Sequence, residues 1–399
     1  MHLKYQNIFK GIQYLKLYPR EELWRLIVDG RLHKIENGWK KYDQREYASD
    51  VQSTLNGLEI AFTDLDKDIT PALILSLHKA CKTNLQFNIP GLILNDEPGV
   101  FRDGTGSFGL TEENTTVEGL EEYFDSFTLE KEYGFDEKIY SPPINNECHN
   151  LSPEKQFQRN MAWRGSSIGT TSIIEGVNYQ TAVNAMNVEE YKKERGFTTT
   201  HELALYWYKK IQQGERITYQ PPAPCIIGIQ IEALSTSYNE KIASASCDNE
   251  KLAIMAWHTK QFNFVHPFWD ANIRTFVICL LNRMLVQQGF PVATYYSPHV
   301  FDFFGADQLS SKLMEALKVT QSIIDGQKEI FGFKNSDIEI SQRHKFHDIT
   351  ENITSAIANE RSRIIQHLDN SQPSLNYSKP LLLPSEENQS TIVANFSNH

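Results

Sequence analysis

At 399 residues, with 40% hydrophobic and 22% charged side chains and with 22 Phe and 17 Tyr, the chain can build one large core with appendages, or two to three domains. That composition excludes an intrinsically disordered protein. Its 50 Asp and Glu outnumber its 39 Lys and Arg, for a formal charge of -11, which excludes a surface built for nucleic-acid phosphates because such surfaces depend on clustered cations.

Residues 1–50 read as a small helical N-terminal cap. Leu15, Leu17, Leu23, Leu26 and Ile27 supply its apolar positions, and Pro19 before Arg20, Glu21 and Glu22 marks a helix start with acids in the first turn. Lys, Tyr, Glu and Arg interrupt residues 1–25, so no classical signal peptide is expected. Thr70-Pro71 predicts a capped helix over 70–82. Pro90, Gly91, Pro98, Gly99, Gly104 and Gly106 predict loop or hairpin between 88 and 110, and the Pro-, Asn- and Asp-rich residues 136–153 an exposed connection. Helices are expected over 156–179, 188–195 and 200–213, with a break at the Pro cluster of residues 219–224. They resume over 226–239 and 249–265. Next, Ile273, Phe276, Val277, Leu280, Leu281, Met284 and Leu285 fall at i, i+3, i+4, i+7, i+8, i+11 and i+12, one broad stripe ended by Gly289 and Pro291. No 18 apolar residues run together, so no membrane span is expected. A late helix over 341–368 places Phe346, Ile349, Ile353, Ile357, Ile364 and Leu368 on one side, and residues 371–399 read as a flexible tail. Cys81, Cys148, Cys225, Cys247 and Cys279 are odd in number and scattered, which suits reduced, buried thiols in a reducing compartment. His258 and His299 lack Cys or acidic partners at ligand spacing and read as packing or surface residues.

The run His266-Pro267-Phe268-Trp269-Asp270-Ala271-Asn272-Ile273-Arg274 is a loop entering a helix. The first amides of a helix lack intrahelical acceptors, and with the helix dipole they attract anions. Arg274 adds a forked guanidinium for phosphate oxygens, and Asp270 suits a hard cation such as Mg2+ shared with phosphates. His266 can take a proton from an attacking hydroxyl near neutral pH. Base, cation holder and phosphate cradle thus fall within one short run.

This run resembles the Fic motif, His-Pro-Phe-x-Asp-(Gly or Ala)-Asn-x-Arg. The resemblance implies a mainly α, Fic-type helical bundle with a small β-hairpin flap and helical N- and C-terminal extensions: the cap over 1–50, a core over 51–330, a helical segment over 331–370 and the tail over 371–399. It also implies roles: His266 as general base, Asp270 as Mg2+ ligand, Ala271, Asn272, Ile273 and Arg274 around the nucleotide phosphates, and Phe268 as the core anchor of the loop. Thr171-Ser172-Ile173-Ile174-Glu175-Gly176 is similar to the inhibitory helix of some Fic proteins, which would make Thr171, Glu175 and Gly176 regulatory. Pro98-Gly99-Val100-Phe101-Arg102 resembles the stretch leading into the flap, with Arg102 its marker; Arg216-Ile217-Thr218-Tyr219 is the alternative flap. Two positions depart from the pattern. Ile273 stands where Gly or Lys is usual, and Val277 where related proteins carry a second Arg that binds a terminal phosphate and pairs with the inhibitory Glu. The implied activity is transfer of AMP from ATP to a Ser, Thr or Tyr hydroxyl of a target protein. The alternatives are another donor, such as CDP-choline or UTP, or a degenerate fold that binds a nucleotide or a protein without turnover. The polar tail is similar to export signals of bacterial effectors, so the expected location is the cytoplasm or, after secretion, a host cell.

Overall fold

The computed structural model describes residues 2–35, 38–45, 47–83, 86–87, 97–104, 106–133, 167–174, 177–183, 188–222, 224–327, 329–331, 333–334 and 350–371. In chain order, α1 (His2–Leu17), two 3-10 turns (Arg20–Leu26 and Gly30–Lys34), α2 (Gly38–Arg45), α3 (Asp50–Ala61) and α4 (Pro71–Lys82) come first. The short strands β1 (Tyr47–Ala48) and β2 (Gln86–Phe87) flank α3 and α4. The start of α4 follows the expected chemistry: the Thr70 hydroxyl accepts from the amide of Leu73, and Pro71 occupies the first turn, where no amide is needed.

Then come β3 (Phe108–Leu110), α5 (Val117–Tyr133), β4 (Ser167–Ile174), β5 (Val177–Val183), α6 (Val188–Arg195), α7 (Thr200–Gln212) and β6 (Ile217–Gln220). The strands form one antiparallel sheet in the order β3-β6-β4-β5, with Tyr219 opposite both Phe108 and Ile168. The two flap candidates are therefore neighbours: β3 follows Arg102, β6 is the Arg216–Tyr219 alternative, and they pair with each other. Alternation decides which side is covered, since Ile217 and Tyr219 are buried while Thr218 and Gln220 are not. The sheet is larger than the hairpin expected.

Residues 167–174 correct the helix expected over 156–179. The segment Ser-Ile-Gly-Thr-Thr-Ser-Ile-Ile is β4, and Thr171 pairs with Gln180 of β5. β-Branched side chains lose rotamer freedom in a helix and pack well on a pleated surface, so the run of Ile and Thr favours a strand. Thr171 thus does not lie on an inhibitory helix, while Glu175 and Gly176 lie outside the described residues, as do residues 156–166, 341–349 and 372–399.

The chain continues through α8 (Ile227–Ser244), α9 (Asp248–Val265), a π-helical segment (Arg274–Leu280) running into α10 (Leu281–Gln287), α11 (Val300–Phe303) and α12 (Ala306–Ile324). After the short strands β7 (Glu329–Ile330) and β8 (Phe333–Lys334), α13 (Glu351–Ser371) ends the described chain. The structure is mostly helical with a small antiparallel sheet. Among the described residues no helix is long and apolar enough to cross a membrane.

Every residue from Arg274 to Gln287 is buried, so the motif helix is covered all round and its stripe is only part of its contact surface. Its polar residues are internal clamps. Arg283 donates to the carbonyls of Ala61, Thr63, Asp64 and Lys67, at and beyond the end of α3, and Asn282 bonds the Ile278 carbonyl and the Ala293 amide. Two glycines permit the close packing: a Cβ at Gly57 would lie 2.5 Å from Sγ of Cys81, and one at Gly11 2.2 Å from the Val286 carbonyl oxygen. Ile8, Ile12 and Leu15 of α1 belong to the same core as this helix, so the N-terminal segment is built into it. A second core joins the sheet to α5 and α7 through Phe124, Ile168, Trp207 and Tyr219. The end of α9 stands between the two, with Val265 in the first core and Phe264 against the second.

Candidate functional site

α9 stops at Val265 because Pro267 disfavours a helical residue before it. His266 takes a left-handed backbone (φ 45°, ψ 57°), and its amide closes onto the Asn263 carbonyl at 3.0 Å. Phe268 is fully buried, stacked on His78 with ring centroids 3.7 Å apart, as its expected anchoring role requires. Asn272 spends both ends of its carboxamide on this turn: Oδ1 accepts from the Phe268 amide at 3.1 Å, and Nδ2 donates to the Phe268 carbonyl at 2.9 Å. The residues suggest that Asn272 can cap or orient this turn, and the resemblance adds a place at the nucleotide; in the structure its carboxamide staples the loop. The helix then starts at Asn272, and the Thr275 amide closes onto the Ala271 carbonyl at 2.9 Å.

Arg102 holds this loop from outside. Its amide donates to the Pro267 carbonyl (2.9 Å), Nε to the His266 carbonyl (2.7 Å), Nη1 to the Gly104 carbonyl (2.6 Å) and Nη2 to the Pro222 carbonyl. The resemblance puts Arg102 in the stretch leading into the flap; in the structure it is a buried tie between the approach to β3, the Pro cluster and the motif. Burial lowers its pKa to about 10, so it stays charged at neutral pH.

The imidazole of His266 lies over Phe108, centroids 4.9 Å apart and planes 27° apart, and its Nδ1 is buried without a hydrogen-bond partner. Burial pushes its pKa down to about 4; Asp302 and Asp270 act upward and Arg102 downward. The ring is therefore neutral at pH 7 and able to accept a proton.

Four charges meet beside it. Arg274 is paired with Asp50, at the start of α3, and with Asp270 at 2.7 Å, and Lys82 reaches Asp270 at 3.0 Å. Asp270, Ala271, Ile273, Arg274 and His266 line one cleft of about 300 Å³. An adjoining groove of about 1220 Å³ shares Asp29, Asn114 and His299 with it. Asp270 fits a Mg2+ of the kind held by one carboxylate and substrate phosphates, once Lys82 and Arg274 yield its oxygen. Among the described residues no three His, Cys, Asp or Glu side chains form a ready-made metal cage.

Sequence reading missed Asp50, Phe108 and Asp302, which line the cleft from three separate elements, and Lys82, which reaches Asp270 from a fourth. His299, read as a packing or surface residue, lines both cleft and groove. His258 is buried, with Nδ1 on the Ile254 carbonyl, in keeping with its packing role. Cys81 and Cys279 are buried free thiols, Sγ atoms 3.7 Å apart.

Ala271 adopts φ 61°, where a Cβ costs about 1–2 kcal/mol. Its methyl group is also buried, worth about 0.8 kcal/mol. These nearly offset, so Ala271→Gly is expected to change unfolding free energy by less than about 1 kcal/mol. Ala271→Val, β-branched at positive φ, is expected to cost about 2–3 kcal/mol. Urea unfolding of the two variants measures both.

No family model matches the chain. Over 359 residues, 86% of its length, it is 29% identical to the phosphocholine transferase AnkX of Legionella pneumophila, and the match covers 32% of that protein. The chain thus spans about a third of the curated relative it matches.

Proposed function

We propose that the chain is a Fic-type transferase that moves phosphocholine from CDP-choline to a hydroxyl of a target protein. The observation that carries the transferase reading is the neutral His266 imidazole in one cleft with Arg274 and the first turn of a buried helix. In the reaction, the hydroxyl oxygen forms a bond to the phosphorus that bears choline, and its proton passes to His266. The phosphoanhydride P–O bond breaks, and CMP leaves with the electron pair. The helix-start amides and Arg274 stabilise charge on the phosphoryl oxygens. Asp270 would hold a Mg2+, which when bound would supply further charge neutralisation.

Two observations favour CDP-choline over ATP. The relative over 86% of the chain is a phosphocholine transferase. Val277 is buried among apolar side chains at the position where the resemblance puts an Arg for a terminal phosphate, so a two-phosphate donor suits the cleft better than a triphosphate. AMP transfer from ATP is the second reading, supported by the motif itself. Incubation of the chain with cell lysate and, in parallel, choline-labelled CDP-choline and α-labelled ATP, CTP or UTP separates them. Choline label on protein with release of CMP is the expected result. Label from ATP with release of pyrophosphate would establish the second reading, and label from no donor would remove both.

A further inference from the structure

The electrostatics around the base point beyond the motif. Asp302 comes from α11, 36 positions after His266 in the chain numbering, yet it lines the same cleft. Its carboxylate is buried and oriented from three sides. Oδ1 accepts from Asn263 Nδ2 at 2.9 Å; Oδ2 accepts from Asn114 Nδ2 at 3.3 Å and lies 3.2 Å from His299 Nδ1. Asn263 links the two residues, since its carbonyl also receives the His266 amide. Among the described residues no Lys or Arg forms an ion pair with Asp302; the ionisable side chain against it is His299. A buried carboxylate held by neutral amides is costly unless a positive charge sits nearby for part of its working life.

Resting on the transferase reading, we propose that Asp302 is a positioning residue for the base: its fixed negative charge stabilises the imidazolium that His266 becomes when it takes the substrate proton. The other charges facing His266 do not do this work alone. Arg102, bound to the His266 carbonyl, opposes imidazolium formation, and Asp270 is committed to Lys82 and Arg274. His299 is the remaining titratable neighbour, and it acts on the same Asp302 oxygen. Asp302 is also the strongest of the upward influences on the imidazole. The proton is still received by His266; Asp302 acts through its charge, on how readily the ring holds that proton.

Asp302→Asn keeps the shape and removes the charge. Expected are a fall in kcat of about tenfold for each pKa unit lost, a donor KM within about twofold of the parent, and a His266 imidazole titration displaced to lower pH in nitrogen-detected NMR. His299→Gln leaves the Asp302 charge and a donor amide in place, and its His266 titration is expected to stay near that of the parent. An unshifted His266 titration in Asp302→Asn would overturn the proposal, as would a fall in kcat that merely follows loss of thermal stability, or His299→Gln matching Asp302→Asn. If the parent chain transfers nothing from any donor, the functional reading falls, while the titration still decides whether Asp302 tunes His266.

Discussion

Replacing His266 with Ala is expected to lower kcat for transfer by about 10²- to 10⁴-fold, the usual contribution of a placed general base, with donor KM little changed. The ring makes no side-chain hydrogen bond through Nδ1 and rests on Phe108, so its removal takes away the proton acceptor and leaves the Asn272 and Arg102 anchors of the loop in place. The same substitution has a signature in acid. His266 is driven to a pKa of about 4 by burial, below the value near 6.5 of an unfolded histidine. The unfolded chain therefore binds this proton first, and native stability falls as pH drops from about 6.5 toward 4. His33, His78 and His258, lowered to about 3, 3 and 4 by burial, drain stability in the same window. His266→Ala should lose less stability than the parent between pH 7 and 4. Steady-state transfer rates and denaturation at the two pH values test both parts; parent-like kcat in the mutant would remove His266 from the mechanism.

Arg102→Ala is expected to cost about 3–5 kcal/mol of unfolding free energy, because it strands buried carbonyls of His266, Gly104 and Pro222 that now accept from one guanidinium. Transfer should collapse with it, since the same bonds set where His266 stands. Arg102→Lys should recover only a fraction, because a single ammonium cannot match a planar fork aimed at separate carbonyls. Urea unfolding together with transfer rate checks this. A loss below about 1 kcal/mol, with activity retained, would show that the loop holds itself.

Legibility of the site followed sequence distance. The motif could be read because the proposed base, the carboxylate and the helix start fall in one unbroken run, and the Thr70-Pro71 helix start because caps act over three residues. Asp50, Lys82, Phe108 and Asp302 carried no local signal: each is an ordinary residue of its own element, and only tertiary packing aims them at Arg274, Asp270 or His266. Arg102 was noticed for its flap-like neighbourhood, but its bonds are long-range, to residues 120 and 164 positions away. Over 167–174 a helix was expected, and the structure has a strand there, as the β-branched run favours. In the motif helix the apolar stripe was legible from its spacing, but the internal partners of Asn282, Arg283 and Gln287, which pack the other face, were not.

The central claim is that the turn from Asp270 to Arg274 grips donor phosphates in front of His266. A crystal structure of the chain with CDP-choline and Mg2+ addresses it most directly. The account predicts phosphate oxygens within hydrogen-bonding distance of the helix-start amides and of Arg274, with the guanidinium drawn from Asp50 and the choline-bearing phosphorus facing His266. A donor bound elsewhere, with Arg274 still bridging Asp50 and Asp270, would contradict it.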